Sequence, residues 1–308
     1  FRPNDTTNYA DSSVASTTVK VTNKATPTMT LAGSNKTYNG SASYITGTAS
    51  VAGKIYYGTT SATSGMSTAV SVSANTATNL TSITNVGTLT VYAYFVPTDT
   101  TNYNSLGSSS NDHTSKSITI SKRTVTITAP TKTDRTYSGS AQTIFTAGSC
   151  TTGGVMYYSD TNKTFSTSTW STSLPYTQKT NASTYTLYYY CYVSDTTNNT
   201  GTGINTIKSI SAVINKKATT APTLTAGSKT TYDGSTVYAK AASASSNPAG
   251  KIYYGASSGA TTYSITASTT AANLTSMGRT DVGTTTIYAF FRPNDTTNYA
   301  DSSVASTT

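Results

Sequence analysis

VGTLTVYAYFVPTDTTNY, residues 86–103, decides the fold. Val91, Ala93 and Phe95 fall on one side of an extended chain, and Thr90, Tyr92 and Tyr94 fall on the other. Side chains alternate across a strand with a period of two, so the segment reads as a strand with a dry face and a hydroxyl-bearing face. It runs into Asp-Thr-Thr-Asn, a cluster of turn formers. The segment returns as ASTYTLYYYCYVSDTTNN at 182–199 and as VGTTTIYAFFRPNDTTNY at 282–299. In the last copy Ile287, Ala289 and Phe291 share the dry face, opposite Thr286, Tyr288 and Phe290.

Two further landmarks recur upstream of each copy. Tyr-x-Gly stands at Tyr38 and Gly40, at Tyr137 and Gly139, and at Tyr232 and Gly234. GKIYYG covers 53–58, GVMYYS covers 154–159, and GKIYYG returns at 250–255. The Tyr-x-Gly tyrosines are 99 and then 95 residues apart, the size of a small β-sandwich. Tyr-x-Gly suits a turn between early strands, because Gly takes a positive φ and a preceding Asn or Asp tolerates one. No helical period of useful length is present. Several short strands per unit, each with one face to bury, need a second sheet to cover them, so the expected class is all-β, built of antiparallel sandwiches.

The first eighteen residues, FRPNDTTNYADSSVASTT, repeat letter for letter at 291–308. The expected division is therefore 1–24 as the C-terminal part of a repeat completed by a preceding or neighbouring segment, 25–122 and 123–216 as whole repeats, and 217–308 as a repeat without its last strand. A longer continuous array and a head-to-tail polymer both fit this phase. The junctions at Asn23-Lys24-Ala25, Lys122-Arg123-Thr124 and Lys216-Lys217-Ala218 carry no Gly/Ser spacer. Joints this short limit swing, so a rod-like array is expected.

Composition narrows the class further. Only 10% of the 308 residues are charged, against roughly 25% in ordinary domains. There is no Glu, while Thr and Ser number 71 and 45. Disordered chains are poor in β-branched and aromatic residues, whereas this chain is rich in Thr and holds 24 Tyr. The net charge of +9 comes from Lys and Arg scattered singly or in pairs. No basic patch interleaves with stacking aromatics, which argues against nucleic acid. Loose attraction to an anionic cell envelope stays open, beside the plainer reading of a soluble surface with few acids. No apolar run reaches the roughly 18 residues of a membrane helix, so no membrane span is expected, and export or anchoring signals would lie outside this stretch.

Few residues could carry chemistry. Cys150 and Cys191 are the only cysteines, and Cys191 occupies the slot of Phe95 and Phe291. Two cysteines in one sandwich, one of them facing the core, point to an inter-sheet disulfide in an oxidising compartment; two buried thiols are the alternative. His113 follows Asp112 in a polar insertion and reads as an exposed loop residue, since no nucleophile accompanies it. Asp-Thr-Thr-Asn reads as an Asx-type turn, with calcium at the joints as the functional alternative. The tyrosines read as amphipathic sandwich residues, with a sugar-stacking platform as the alternative. No catalytic residue, cofactor or metal site is expected.

Taken together, the Tyr-[Asn/Asp]-Gly turn, the strand ending in Tyr-Tyr-Gly, the Val-Gly-x-x-x-Val-Tyr-Ala strand and the Asp-Thr-Thr-Asn-Tyr loop resemble bacterial immunoglobulin-like tandem repeats of the MBG/YDG type, found in large surface adhesins and extracellular fibres. The resemblance covers all three units. It implies immunoglobulin-like sandwiches, an extracellular location at the cell surface, neighbouring copies of the same repeat as partners, and no catalysis. A glycan-binding adhesin module using surface tyrosines is the alternative. The middle unit departs most, with Ala182-Ser183 in place of Val-Gly and Asn199 in place of the loop tyrosine.

Overall fold

A computed structural model describes residues 1–107, 113–259 and 262–308. Asp112 therefore lies outside the described residues. The chain divides into two compact units, Phe1–Thr124 with Asp195–Thr200, and Val125–Ser194 with Gly201–Thr308. Among the described residues there is no α-helix.

The first unit holds one complete sandwich. Its strands are β1 (Met29–Ala32), β2 (Lys36–Thr37), β3 (Ser43–Ala49), β4 (Gly53–Gly58), β5 (Thr68–Val72), β6 (Thr78–Ile83), β7 (Gly87–Pro97) and β8 (Thr114–Ser121). One layer is ordered β1-β3-β6 and the other β2-β8-β7-β4-β5. All neighbours are antiparallel except β2 and β8, where the chain leaves the first layer and pairs parallel with the last strand. A three-stranded layer facing a layer built round β7 and β4, with the first strand split between them, is the immunoglobulin-like arrangement. The quoted stretch contains β7, whose dry face is the core: Val91, Ala93 and Phe95 are all 0% exposed. They meet Ile55, Val72 and Ile118 from the same layer and Ile45, Ala49 and Leu80 from the other.

The close approach of the neighbouring strand explains why the GKIYYG strand begins with Gly. A Cβ on Gly53 would stand 2.4 Å from the Val96 carbonyl oxygen and 2.5 Å from the Phe95 ring, and one on Gly250 would stand 2.3 Å from the Arg292 carbonyl oxygen and 2.5 Å from the ring of Phe291. In the middle repeat Cys191 takes the ring's place, and a Cβ on Gly154 would stand 2.9 Å from its sulfur. The landmark is thus set by how closely one strand must pass over the residue filling this slot.

The second unit holds two sandwiches of the same plan. In one, the sheet ordered Arg135–Thr136, Ile207–Asn215, Ser183–Tyr192, Val155–Ser159 faces short antiparallel pairs, among them Ile127–Thr128 with Ser149–Cys150. Cys150 and Cys191 are disulfide-bonded, with Cα atoms 6.2 Å apart, and they tie the two layers together. In the other, Thr223–Thr225, Lys240–Ala242 and Ala272–Asn273 face the sheet Tyr263–Thr266, Gly250–Gly255, Ile287–Pro293, Ala305–Thr307. Three residues of its last strand are thus in place, paired with Ile287, Tyr288 and Ala289. Phe290 departs from the strand reading: it lies on the face opposite the core yet is buried, because Tyr253 stacks on it at 5.6 Å and Arg292 covers both rings. His113 also departs, being half-buried edge-on to Tyr92 at 5.2 Å rather than free in a loop.

The two copies of the eighteen-letter stretch differ. Phe291 is 0% exposed at the centre of a sheet, whereas Phe1 is 93% exposed. Residues 1–24 form no strand.

Candidate functional site

The recurrent loop after the dry-faced strand is built first by its own residues. In residues 99–102 the Asp99 carboxylate accepts the backbone N–H groups of Thr101 and Asn102 through Oδ1, both at 3.0 Å, and the Asn102 side-chain amide through Oδ2 at 2.7 Å. Asp195 accepts from Asn198 in the same way, and Asp295 from Asn298. These bonds favour the charged carboxylate, with the Asn side chain as the first cause, and hold Asp99, Asp195 and Asp295 below the ordinary Asp range. The turn is the Asx type that the sequence suggests. Both carboxylate oxygens are committed to the chain's own donors. Among the described residues, no group of three His, Cys, Asp or Glu side chains is placed to hold a metal.

Each loop also grips the linker that leads into its own sandwich. The N–H of Ala25 donates to Asn102 O at 2.8 Å, that of Arg123 to Asn198 O at 3.0 Å, and that of Lys217 to Asn298 O at 2.8 Å. The lysine before each of the first two adds an ammonium bond, Lys24 to Thr100 O at 2.6 Å and Lys122 to Thr196 O at 2.7 Å. These basic residues act as braces on a turn, not as a patch.

The decisive contact reaches from the loop to the preceding repeat. Within the first unit, the N–H of Val86 donates to Asn198 Oδ1 at 2.7 Å, while Asn198 Nδ2 donates to Asp195 Oδ2 and, at 3.3 Å, to Asn85 Oδ1. Within the second unit, the N–H of Ala182 donates to Asn298 Oδ1 at 2.7 Å, and Asn298 Nδ2 donates to Asp295 Oδ2 and, at 3.4 Å, to Asn181 Oδ1. One amide side chain thus uses its acceptor and both donors at each clamp. Asn198 and Asn298 are each 7% exposed, whereas Asn8 and Asn102, at the same place in the motif, are exposed. The Tyr-x-Gly turn borders the same joint. The Arg123 guanidinium lies 5.5 Å over Tyr38, and Tyr137 meets Tyr299 edge-on at 5.2 Å. Gly40, Gly139 and Gly234 have φ of 84°, 86° and 79°, so the turn requires Gly for its backbone alone.

No protein-family model matches the chain, and no curated protein does. Among solved structures it is similar to fibronectin(III)-like modules of Clostridium thermocellum CbhA, at 15% identity over 61% of this chain and 94% of that one, with a TM-score of 0.20. It is also similar to domains A168–A170 of titin, at 9% identity over 91% and 98%, with a TM-score of 0.24. A third likeness is to native Escherichia coli alpha-2-macroglobulin, at 9% identity over 92% of this chain and 23% of that one, with a TM-score of 0.20. At such TM-scores the likeness adds nothing to the strand order, which is immunoglobulin-like in its own right.

The tyrosines mostly meet other rings. Tyr56 stacks on its cross-strand partner Tyr94 at 4.9 Å, and Phe165 stacks on Tyr190 at 3.8 Å with Trp170 against both. Buried hydroxyls reach backbone, as Tyr158 does to Gly148 O at 2.9 Å. The clamp residues Asn198, Asn298, Val86 and Ala182 escaped the sequence reading, because an Asx turn looks self-sufficient. A signal was there. Asn85-Val86, Asn181-Ala182 and Asp281-Val282 precede the dry-faced strand in every repeat, at a fixed distance from the loop.

Proposed function

We propose that this chain is a structural repeat segment of a bacterial cell-surface fibre or adhesin stalk, working outside the cell, with its repeats of the MBG/YDG type. The observation that carries this reading is the clamp. Two junctions with no flexible spacer are closed by the same Asn, the same turn and the same two backbone N–H donors, one to the Asn side-chain oxygen and one to its backbone oxygen. A protein selected to hold its repeats in a fixed sequence of joints would look like this, whereas a binding module would spend its loops on a ligand. The disulfide suits an oxidising compartment. The sparse charges and the Thr-rich coat suit a surface that is chemically quiet. Among the described residues, no helix is long and apolar enough to cross a membrane, which says nothing of a β-barrel.

The test is surface labelling. Intact cells that make the protein are treated with a membrane-impermeant amine reagent, and the exposed lysines are mapped by mass spectrometry. Labelling before lysis, lost after brief protease treatment of intact cells, is expected. Lysines that react only after lysis would end the reading.

A further inference from the structure

Asn39-Gly40 is the only Asn-Gly pair in the chain, and it lies at the tip of the first Tyr-x-Gly turn, where both residues are exposed. Asn39 Oδ1 accepts two hydrogen bonds from one neighbour, the backbone N–H of Ser41 at 3.0 Å and the Ser41 hydroxyl at 2.7 Å. The Lys36 ammonium donates to that same hydroxyl oxygen at 3.1 Å and also to the Ser41 carbonyl. A donor to the hydroxyl oxygen polarises the group and strengthens the bond it gives in turn. Among the described residues, neither the Gly40 N–H nor Asn39 Nδ2 has a hydrogen-bond partner. Gly40 has no side chain to screen its nitrogen, and a Cβ there would meet no atom within 4 Å.

The third repeat shows what this set of donors can hold. At the matching place Asp233 Oδ1 accepts the N–H of Ser235 at 2.9 Å and its hydroxyl at 2.8 Å, and Lys229 Nζ adds a bond at 2.6 Å. A full negative charge is seated there. In the first repeat the same donors surround a neutral amide oxygen. In the second, Ser138 holds the place and offers no side-chain carbonyl.

We propose that Asn39 is a site of spontaneous self-modification, at which the turn converts its own amide to an acid. Hydroxide from solvent takes the Gly40 N–H proton, and the nitrogen attacks Asn39 Cγ. Negative charge develops on Oδ1, where the two Ser41 donors and the nearby Lys36 charge stabilise it as an oxyanion hole does. The Cγ–Nδ2 bond breaks, Nδ2 takes a proton from water and leaves as ammonia, and hydroxide is regenerated. A five-membered imide now joins Cγ to Gly40 N. Water adds to the imide and breaks one of its two C–N bonds, and nothing is oxidised or reduced. Addition at Cγ passes through the same donors and gives an ordinary aspartyl linkage. Addition at the backbone carbonyl gives an isoaspartyl linkage, with the chain routed through the side chain. The donors favour the first, and its product is the turn the third repeat already carries, with a carboxylate beside Lys36. The proposal stands on the turn alone and is independent of where in the cell the protein works.

The test holds the whole chain at neutral pH and constant temperature, with samples digested over time. Peptides are followed by mass, and the two linkages are separated by chromatography. The peptide bearing Asn39 should gain the mass of an amide turned to an acid. It should also show a larger share of the ordinary linkage than the same chain gives when unfolded in urea. Ser41→Ala should slow the native reaction about fivefold, the worth of one ordinary hydrogen bond, and leave the rate in urea unchanged. Ser41 is exposed, so the variant should melt with the wild type. An Asn39 that stays an amide in the native chain overturns the proposal. So do equal native rates for the two chains, or equal shares of the two linkages in native and unfolded protein.

Discussion

Asn298 and Asn8 occupy the same place in the same eighteen letters, and their own turns are nearly identical. Asn8 Nδ2 donates to Asp5 Oδ2 at 2.8 Å and Asn298 Nδ2 to Asp295 Oδ2 at 2.9 Å. Only Asn298 also takes the N–H of Ala182. Replacing each by Ala removes the turn bond in both but a clamp in one. Asn298→Ala leaves a partly buried N–H without its acceptor, at a cost of about 1–3 kcal/mol. Asn8→Ala should stay within about 0.5 kcal/mol of the wild type. Thermal unfolding of the two variants side by side measures the difference, and equal melting temperatures would show that the clamp adds nothing.

At the scale of the element, the central strand was the most legible feature, because one of its faces must stay dry over eleven residues and alternation records that directly. The Tyr-x-Gly turn was legible because its backbone demands Gly. The burial of Phe290 was not, since it depends on Tyr253 and Arg292 arriving from outside the strand's own pattern. Trp170 and Phe165 were hidden for a related reason. They sit in a Ser/Thr-rich loop with no period, and only the fold lays them against Tyr190. The disulfide between layers makes its own prediction. Its partners are 41 residues apart, and in the chain-entropy view closing such a loop is worth roughly 3–4 kcal/mol. Cys191→Ser should lower the unfolding transition of the second unit and leave that of the first in place. Calorimetry of the variant resolves this, and a shift shared by both transitions would contradict it.

For the whole molecule, acid is the titration that matters among the acidic side chains, since all of them are Asp. Asp99, Asp134, Asp195, Asp233 and Asp295 all have depressed pKa values in the folded chain, each first through a side-chain hydrogen bond: from Asn102, Lys132, Asn198, Lys229 and Asn298 in turn. A carboxyl group depressed by folding stabilises the fold above its unfolded value, near 3.9, and loses that contribution as pH falls through its folded value. Melting temperature should therefore be steady down to about pH 4 and decline below it. The decline should be shallow. Asp5 keeps the same turn, and a pKa lowered by the same Asn contact, in a segment that packs on no sandwich, so part of the shift survives without the tertiary fold.

The duplicated eighteen letters also turn the molecule into its own accessibility standard. Chymotrypsin meets the same bonds twice, after Tyr9, 66% exposed, and after Tyr299, half-buried at a joint. Under native conditions the first is cut and the second is spared until its sandwich opens, and the ratio of the two fragments is a clock for that opening. An antibody raised against the linear peptide would bind one copy and ignore the other, so it would score packing rather than composition.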